Sequence, residues 1–131
     1  MRDRVIQLSE KLPRRGDDTD KLDFPVRYIN HQLSQYGNVK EQVYEVWGMP
    51  YRNVSLILGP ESSQRIVIDA HYDTFQGNPG ADDNASGIAG LIELVRLLSQ
   101  EILSFPVQLV AYTLAAVVKG ICAVVENFAR H

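Results

Sequence analysis

Between Arg65 and Gly87 the chain reads RIVIDAHYDTFQGNPGADDNASG, and no other stretch limits the possible folds so tightly. It opens as an apolar, β-branched run, Ile66-Val67-Ile68, and delivers His71 and Asp73 where that run stops. A turn rich in Gly, Asn and Pro follows, then Asp82-Asp83-Asn84 and a new apolar periodicity. Strand, turn, helix is the order these residue types favour. A near-continuous apolar run is also the habit of a strand buried on both faces, so a central strand is predicted over 65–70. His71 then emerges at a carboxyl end, where open α/β sheets place their ligand sites.

The flanking segments supply the rest of an α/β domain. Val5, Ile6, Leu8 and Leu12 follow helical spacing up to Pro13, and Leu22, Val26, Ile29 and Leu33 do so again until Gly37-Asn38. The charged run Arg14 to Asp20 between them reads as a solvated loop. Val39 to Trp47 and Tyr51 to Leu58 are β-branched and aromatic around Gly48-Met49-Pro50, which predicts an antiparallel hairpin. Downstream, Ile88, Leu91, Ile92, Val95 and Leu98 mark a helix over 85–100, capped by Asp83, Asn84 or Ser86, and Pro106 to Leu114 returns as a strand. Strand, helix, strand over 65–114 is a βαβ unit, expected to be parallel and right-handed.

At 131 residues, 45% hydrophobic and 22% charged, the chain is the size of one globular domain. A formal net charge of -3 offers no basic footprint for nucleic acid or an anionic membrane. No apolar run reaches membrane-spanning length and the charged start has no signal-peptide core, so no membrane association is expected. The single cysteine, Cys122, rules out an internal disulfide and points to a reducing, cytoplasmic setting. Cys122 itself reads as a small buried hydrophobe, His31 as a surface or packing histidine, and Trp47 and the tyrosines as packing residues.

Strand residues two apart share a face, so His71 and Asp73 lie on one side of the chain. Two readings are open. In one, His71 ligates a metal and Asp73 orients its imidazole. In the other, the two are a satisfied hydrogen-bonded pair at a strand end. Asp82-Asp83 is similarly open, because adjacent carboxylates at a helix start serve as capping residues. The Gly/Pro loop before them can also fold them back over the strand end.

Ile66 to Asp73 (IVIDAHYD), then Pro79 to Gly87 (PGADDNASG) and an apolar helix, is similar to the zinc aminopeptidase family with two co-catalytic metals, peptidase family twenty-eight of the metallopeptidases. The resemblance covers about residues 22–114. It implies a three-layer α/β/α mixed sheet of the zinc-exopeptidase type, incomplete in this chain. It makes His71 a ligand of one zinc, Asp83 the carboxylate bridging two, and Asp73 the catalytic residue that orients His71, with Asp82 and Asn84 in support. Two zincs roughly 3.5 to 4 Å apart share and activate a water for attack on a peptide.

The chain departs from that pattern after the strand over 107–114. The family places a Glu-Glu pair there, a general base and a zinc ligand, and Ala115-Ala116 stand in its place. The later Asp and His of the family pattern are missing too. The resemblance therefore implies weak or absent zinc binding and no peptide hydrolysis by this chain. Leu114 passes into the helical pattern of Ala115 to His131 without turn residues, so a junction is expected at 114/115. The favoured arrangement is a single partial domain over 1–131: an N-terminal half over 1–114, then 115–131 as a C-terminal helix brought forward by an internal deletion, with truncation plus substitution as the competitor. The parent protein is then expected to be a zinc-dependent aminopeptidase-like hydrolase acting on peptides. A non-catalytic binding or assembly relative and a single-zinc glutaminyl-cyclase-like acyltransferase are the alternatives. Exposed strand edges predict self-association.

Overall fold

The computed structural model describes residues 1–6, 19–46, 48–73 and 84–113. In chain order these form α1 (Arg2–Ile6), α2 (Thr19–Ser34), β1 (Val39–Val46), β2 (Met49–Leu58), β3 (Ile66–His71), α3 (Ser86–Leu98) and β4 (Val107–Tyr112). The expected 114/115 junction and the helix over 115–131 lie outside the described residues, as do Cys122, Trp47 and most of the loop over 14–20.

The four strands make one mixed sheet in the order β1-β2-β4-β3. β1 and β2 pair antiparallel from Val39↔Leu56 to Val46↔Met49, the expected hairpin. Its turn is tighter than the sequence suggests: Met49 and Pro50 belong to β2. Among the described residues β4 pairs with β2 only from Val54 onward, so Pro50 there has β1 as its one strand neighbour, a position that tolerates proline. β4 runs antiparallel to β2 and parallel to β3, so the two strands of the βαβ unit are parallel as predicted. The carboxyl ends of β1, β3 and β4 consequently share one edge of the sheet.

One expectation fails. β3 is not a central strand among the described residues; it pairs with β4 alone, and Ile66 is 53% exposed. The interior strand is β4, whose residues Val107 to Ala111 are all buried. An apolar run reports a tendency to be covered, and neighbours on both sides decide whether it is. β4 has them, with Gln108 among its buried residues.

Helices pack on one face of the sheet. Val26, Ile29 and Leu33 of α2 and Ile88, Leu91, Ile92 and Val95 of α3 form one apolar cluster with Val54, Leu56, Leu109, Ala111 and Ala70. Those sheet residues alternate along their strands and face each other in register, as period-two side chains must. Burying each large aliphatic side chain contributes roughly 1.5–3 kcal/mol, so this cluster dominates the fold. The opposite phase is polar: Asn53, Ser55 and Gln108 are buried there, and Asn53 Nδ2 donates to Gln42 Oε1 at 3.2 Å.

Two contacts fix the periphery. At Gly59, with φ of 96°, a Cβ would lie 2.7 Å from the Phe105 carbonyl oxygen, so the turn leaving β2 can approach the segment entering β4 only without a side chain. Arg4 of α1 donates to Glu93 Oε2 of α3 at 3.0 Å, and Arg96 binds the other carboxylate oxygen. The Arg96 hydrogen bond and then the remaining contacts of the two arginines hold the Glu93 carboxyl down at about 2, against an ordinary 4.5. A lowered folded-state pKa gives stability that is present above the unfolded value and lost as pH falls through the folded one. Acid titration followed by circular dichroism should therefore show a stability loss between about pH 4.5 and 2 that Glu93→Gln diminishes. An unchanged profile in that variant would contradict the linkage.

Candidate functional site

His71 is the last residue of β3 and lies opposite Tyr112, the last of β4. The two rings meet edge-on with centroids 6.3 Å apart. The ladder continues one step further, with Tyr72 N–H donating to the Tyr112 carbonyl at 2.9 Å, and this fixes the direction in which the chain delivers Asp73. Asp73 is buried at 4% exposure, and His71 is half-buried.

The imidazole is oriented from its Nδ1 side. That nitrogen lies 3.1 Å from the Asp73 carbonyl oxygen and 3.4 Å from its carboxylate Oδ1. In the tautomer that donates through Nδ1, the ring carries its lone pair on Nε2. This is the arrangement of a histidine that ligates through Nε2 while a carboxylate and a carbonyl hold the ring. The structure thus brings His71 and Asp73 together on one side of the strand end, as their spacing predicts.

Three tyrosines, Tyr72, Tyr44 and Tyr112, have the electrostatics of Asp73 in common. Tyr72 sits in the opposite phase from its neighbours, is fully buried, and donates its hydroxyl to the Arg52 carbonyl of β2 at 2.6 Å. Burial above all, then the charges of Tyr44 and Asp73, pushes its phenol well above the usual 10. Tyr44 of β1 hydrogen-bonds the Thr113 hydroxyl just beyond β4 and stacks on Tyr51, centroids 5.9 Å apart. Burial raises its phenol to about 12; the Thr113 bond opposes the rise and Asp73 adds to it. Burial also raises Tyr112, with Asp69 and Asp73 contributing. The Asp73 carboxylate is therefore felt by all three, and the neutral hydroxyls of Tyr72 and Tyr44 tie the hairpin to the ends of β3 and β4. Strand parity at Tyr72, between two polar residues of the other phase, was the signal available for its inward position.

The far end of the loop is set by Asn84. Its Oδ1 accepts from Gly87 N–H at 3.0 Å, satisfying one of the unpaired donors of the first turn of α3. Gly87 makes room for it: a Cβ there would lie 2.5 Å from Asn84 Cγ. Of the three capping candidates, Asn84 is the one seen to serve. Asp82 and Asp83 lie outside the described residues. Among the described residues, no three of His, Cys, Asp and Glu come together as a metal-binding group.

A strand-end histidine held by a carboxylate, in a mixed sheet entered by a βαβ unit, is an α/β arrangement with its polar groups gathered at the carboxyl ends of the strands. Residues 53–115 match the model of peptidase family M28. Similarity extends to the uncharacterized protein YfbL of Escherichia coli, 42% identical over 109 residues, which cover 76% of this chain and 34% of YfbL. Among solved structures, Porphyromonas gingivalis glutaminyl cyclase superposes with a TM-score of 0.75 at 28% identity, over 85% of this chain and 43% of that one. A Zn-dependent exopeptidase from Parabacteroides distasonis gives 0.72 at 22% identity, over 85% and 44%. Over residues 53–115 the chain is similar to peptidase family M28, and its fold is that of the zinc-dependent exopeptidases. It spans about a third of the length of the curated relative and less than half of each structure.

Two substitutions probe the frame of the site. Tyr72→Phe leaves the buried Arg52 carbonyl without its donor and should cost about 1–3 kcal/mol in urea unfolding. Asn84→Ala should cost about 1 kcal/mol, while Asn84→Asp, which keeps an acceptor, should cost less. Equal losses in the two Asn84 variants would show that the side-chain acceptor does not cap α3.

Proposed function

We propose that the whole protein is a zinc-dependent aminopeptidase-like hydrolase acting on peptides, and that the 131-residue chain is inactive by itself. The observation that carries this reading is His71 at the carboxyl end of β3, with Nδ1 turned onto Asp73. The match of residues 53–115 to the model of a peptidase family supports it. Zinc, when bound, supplies a Lewis acid that activates water for attack on the peptide bond. Of the chain's residues, His71 presents Nε2, Asp73 holds the ring, and Asp83 is the carboxylate that the resemblance makes bridging.

His71 and Asp73 fit one coordination position and do not complete a shell. A catalytic zinc normally takes three protein ligands, and alanines stand at 115 and 116, where the family pattern calls for the general base and a further ligand. Inactivity of this chain follows from that pair. No helix among the described residues is long and apolar enough to cross a membrane. The lone Cys122 fits a cytoplasmic protein.

A second reading is favoured by one observation, the superposition on a glutaminyl cyclase at 28% identity. A single-zinc acyltransferase would use the same strand-end histidine on a glutaminyl peptide. The full-length gene product, assayed with aminoacyl anilides and with glutaminyl peptides, separates the two. Chelator-sensitive release of the N-terminal residue is the expected result, while cyclisation alone would move the assignment to the second reading. In that protein Asp73→Ala should weaken zinc binding about 10–100-fold, whereas unchanged affinity would remove Asp73 from the site. The 131-residue chain should turn over neither substrate; measurable hydrolysis by it would overturn the inactivity proposed here.

A further inference from the structure

Two hydroxyl braces cross at the carboxyl edge of the sheet. Tyr72 reaches from β3 past β4 to the Arg52 carbonyl of β2, and Tyr44 reaches from β1 past β2 to the Thr113 hydroxyl just beyond β4. Both close on one step. The β2–β4 pairing runs to Val54↔Ala111, and the same register carried two residues further sets Arg52 across from Thr113. Tyr72 and Thr113 are fully buried and Asp73 is 4% exposed, so little water reaches the group. Burial above all keeps the phenols of Tyr44 and Tyr72 protonated, and the charge of Asp73 contributes in both. Neutral hydroxyls can donate, and a buried carboxylate needs donors.

One hydrogen bond between two hydroxyls uses one of their two protons, whichever side donates. The other proton is left to orient in the local field, and the leading charge acting on Tyr44 is that of Asp73. We propose that Tyr44 and Thr113 are positioning residues for the His71–Asp73 pair: their joined hydroxyls turn the remaining O–H dipole to the Asp73 carboxylate and steady it against His71 Nδ1. The imidazole proton is thereby kept on Nδ1 and the lone pair on Nε2. What that lone pair serves rests on the function proposed above; the positioning itself does not.

Without Tyr44, the Thr113 hydroxyl turns to a nearby main-chain carbonyl, as such side chains do. The carboxylate then loses its support. The effect is partial, because the Asp73 main-chain oxygen also faces Nδ1, at 3.1 Å against 3.4 Å for Oδ1.

Long-range nitrogen–proton NMR of the 131-residue chain at about pH 8.5, above the ordinary histidine range, reads the tautomer of His71. The wild type is expected to hold the Nδ1–H form in about tenfold excess. Tyr44→Phe and Thr113→Val should each lower that ratio about threefold or more, whereas Thr113→Ser, which keeps the hydroxyl, should hold it within about 1.5-fold. Valine keeps the branching of threonine, so a role in packing alone would leave the ratio where it was. The wild type also offers a test without any variant: a hydroxyl proton of the Tyr44–Thr113 bond should appear as a signal protected from solvent exchange. A wild type in the Nε2–H form would overturn the proposal. So would a ratio that Tyr44→Phe and Thr113→Val leave unmoved, a Thr113→Ser chain that behaves as Thr113→Val does, or a hydroxyl proton in rapid exchange. A full-length protein that binds no zinc and turns over no peptide would instead remove the proposed function and leave these ratios standing.

Discussion

Everything at the site depends on β3 lying parallel to β4 and in register with it. The hydrogen bonds at either end of β3, Ile66 to Pro106 and Tyr72 to Tyr112, set where the strand begins and where it releases the chain. A slip of one residue would turn His71 and Asp73 to the helix-covered face and bring Tyr72 out. Tyr72 resists that slip, because its hydroxyl is committed to a main-chain oxygen on β2, two strands away. The polar phase thus owes its position to the apolar one. Ala70 and Ile68 join the apolar cluster under α3, and their alternation obliges His71 to point the other way.

The elements with a strong period were legible in the sequence. Val26, Ile29 and Leu33, and later Ile88, Leu91, Ile92 and Val95, are the buried stripes of α2 and α3, and the hairpin and the βαβ unit follow from β-branched runs between turn residues. The placement of β3 was not legible. Its apolar run is as dense as that of β4, and strand order depends on pairings between distant segments that no local pattern encodes. At the site, the two-residue spacing of His71 and Asp73 was enough to predict a shared side. The tyrosines escaped because their roles arise from the register between β1, β2 and β4. Nothing in the immediate neighbourhood of Tyr44 announces Thr113, which lies 69 residues away along the chain.

The described residues on either side of 74–83 are held by different physics. Before that stretch stands a β ladder with a buried carboxylate, and after it a side-chain cap closed over a glycine. The ladder draws on main-chain bonds and apolar packing across the whole sheet. The cap is a single hydrogen bond of the first helical turn, where helices fray most readily. Any ligand set that spans the loop therefore joins a firm anchor to a softer one.

The Tyr72 hydroxyl finds its acceptor in the main chain at Arg52, not in a side chain. Every residue type carries that carbonyl. Sequence drift at position 52 therefore leaves the brace intact, while at position 72 no other natural side chain combines the reach of a phenol with a hydroxyl donor. The dependence runs one way along the chain: the hairpin can diverge and still support the site, whereas the site strand cannot. A lineage that abandons catalysis loses its reason to keep His71 and Asp73, yet the sheet still requires the tyrosine between them. A retained tyrosine flanked by altered neighbours would then be the trace of a former active site.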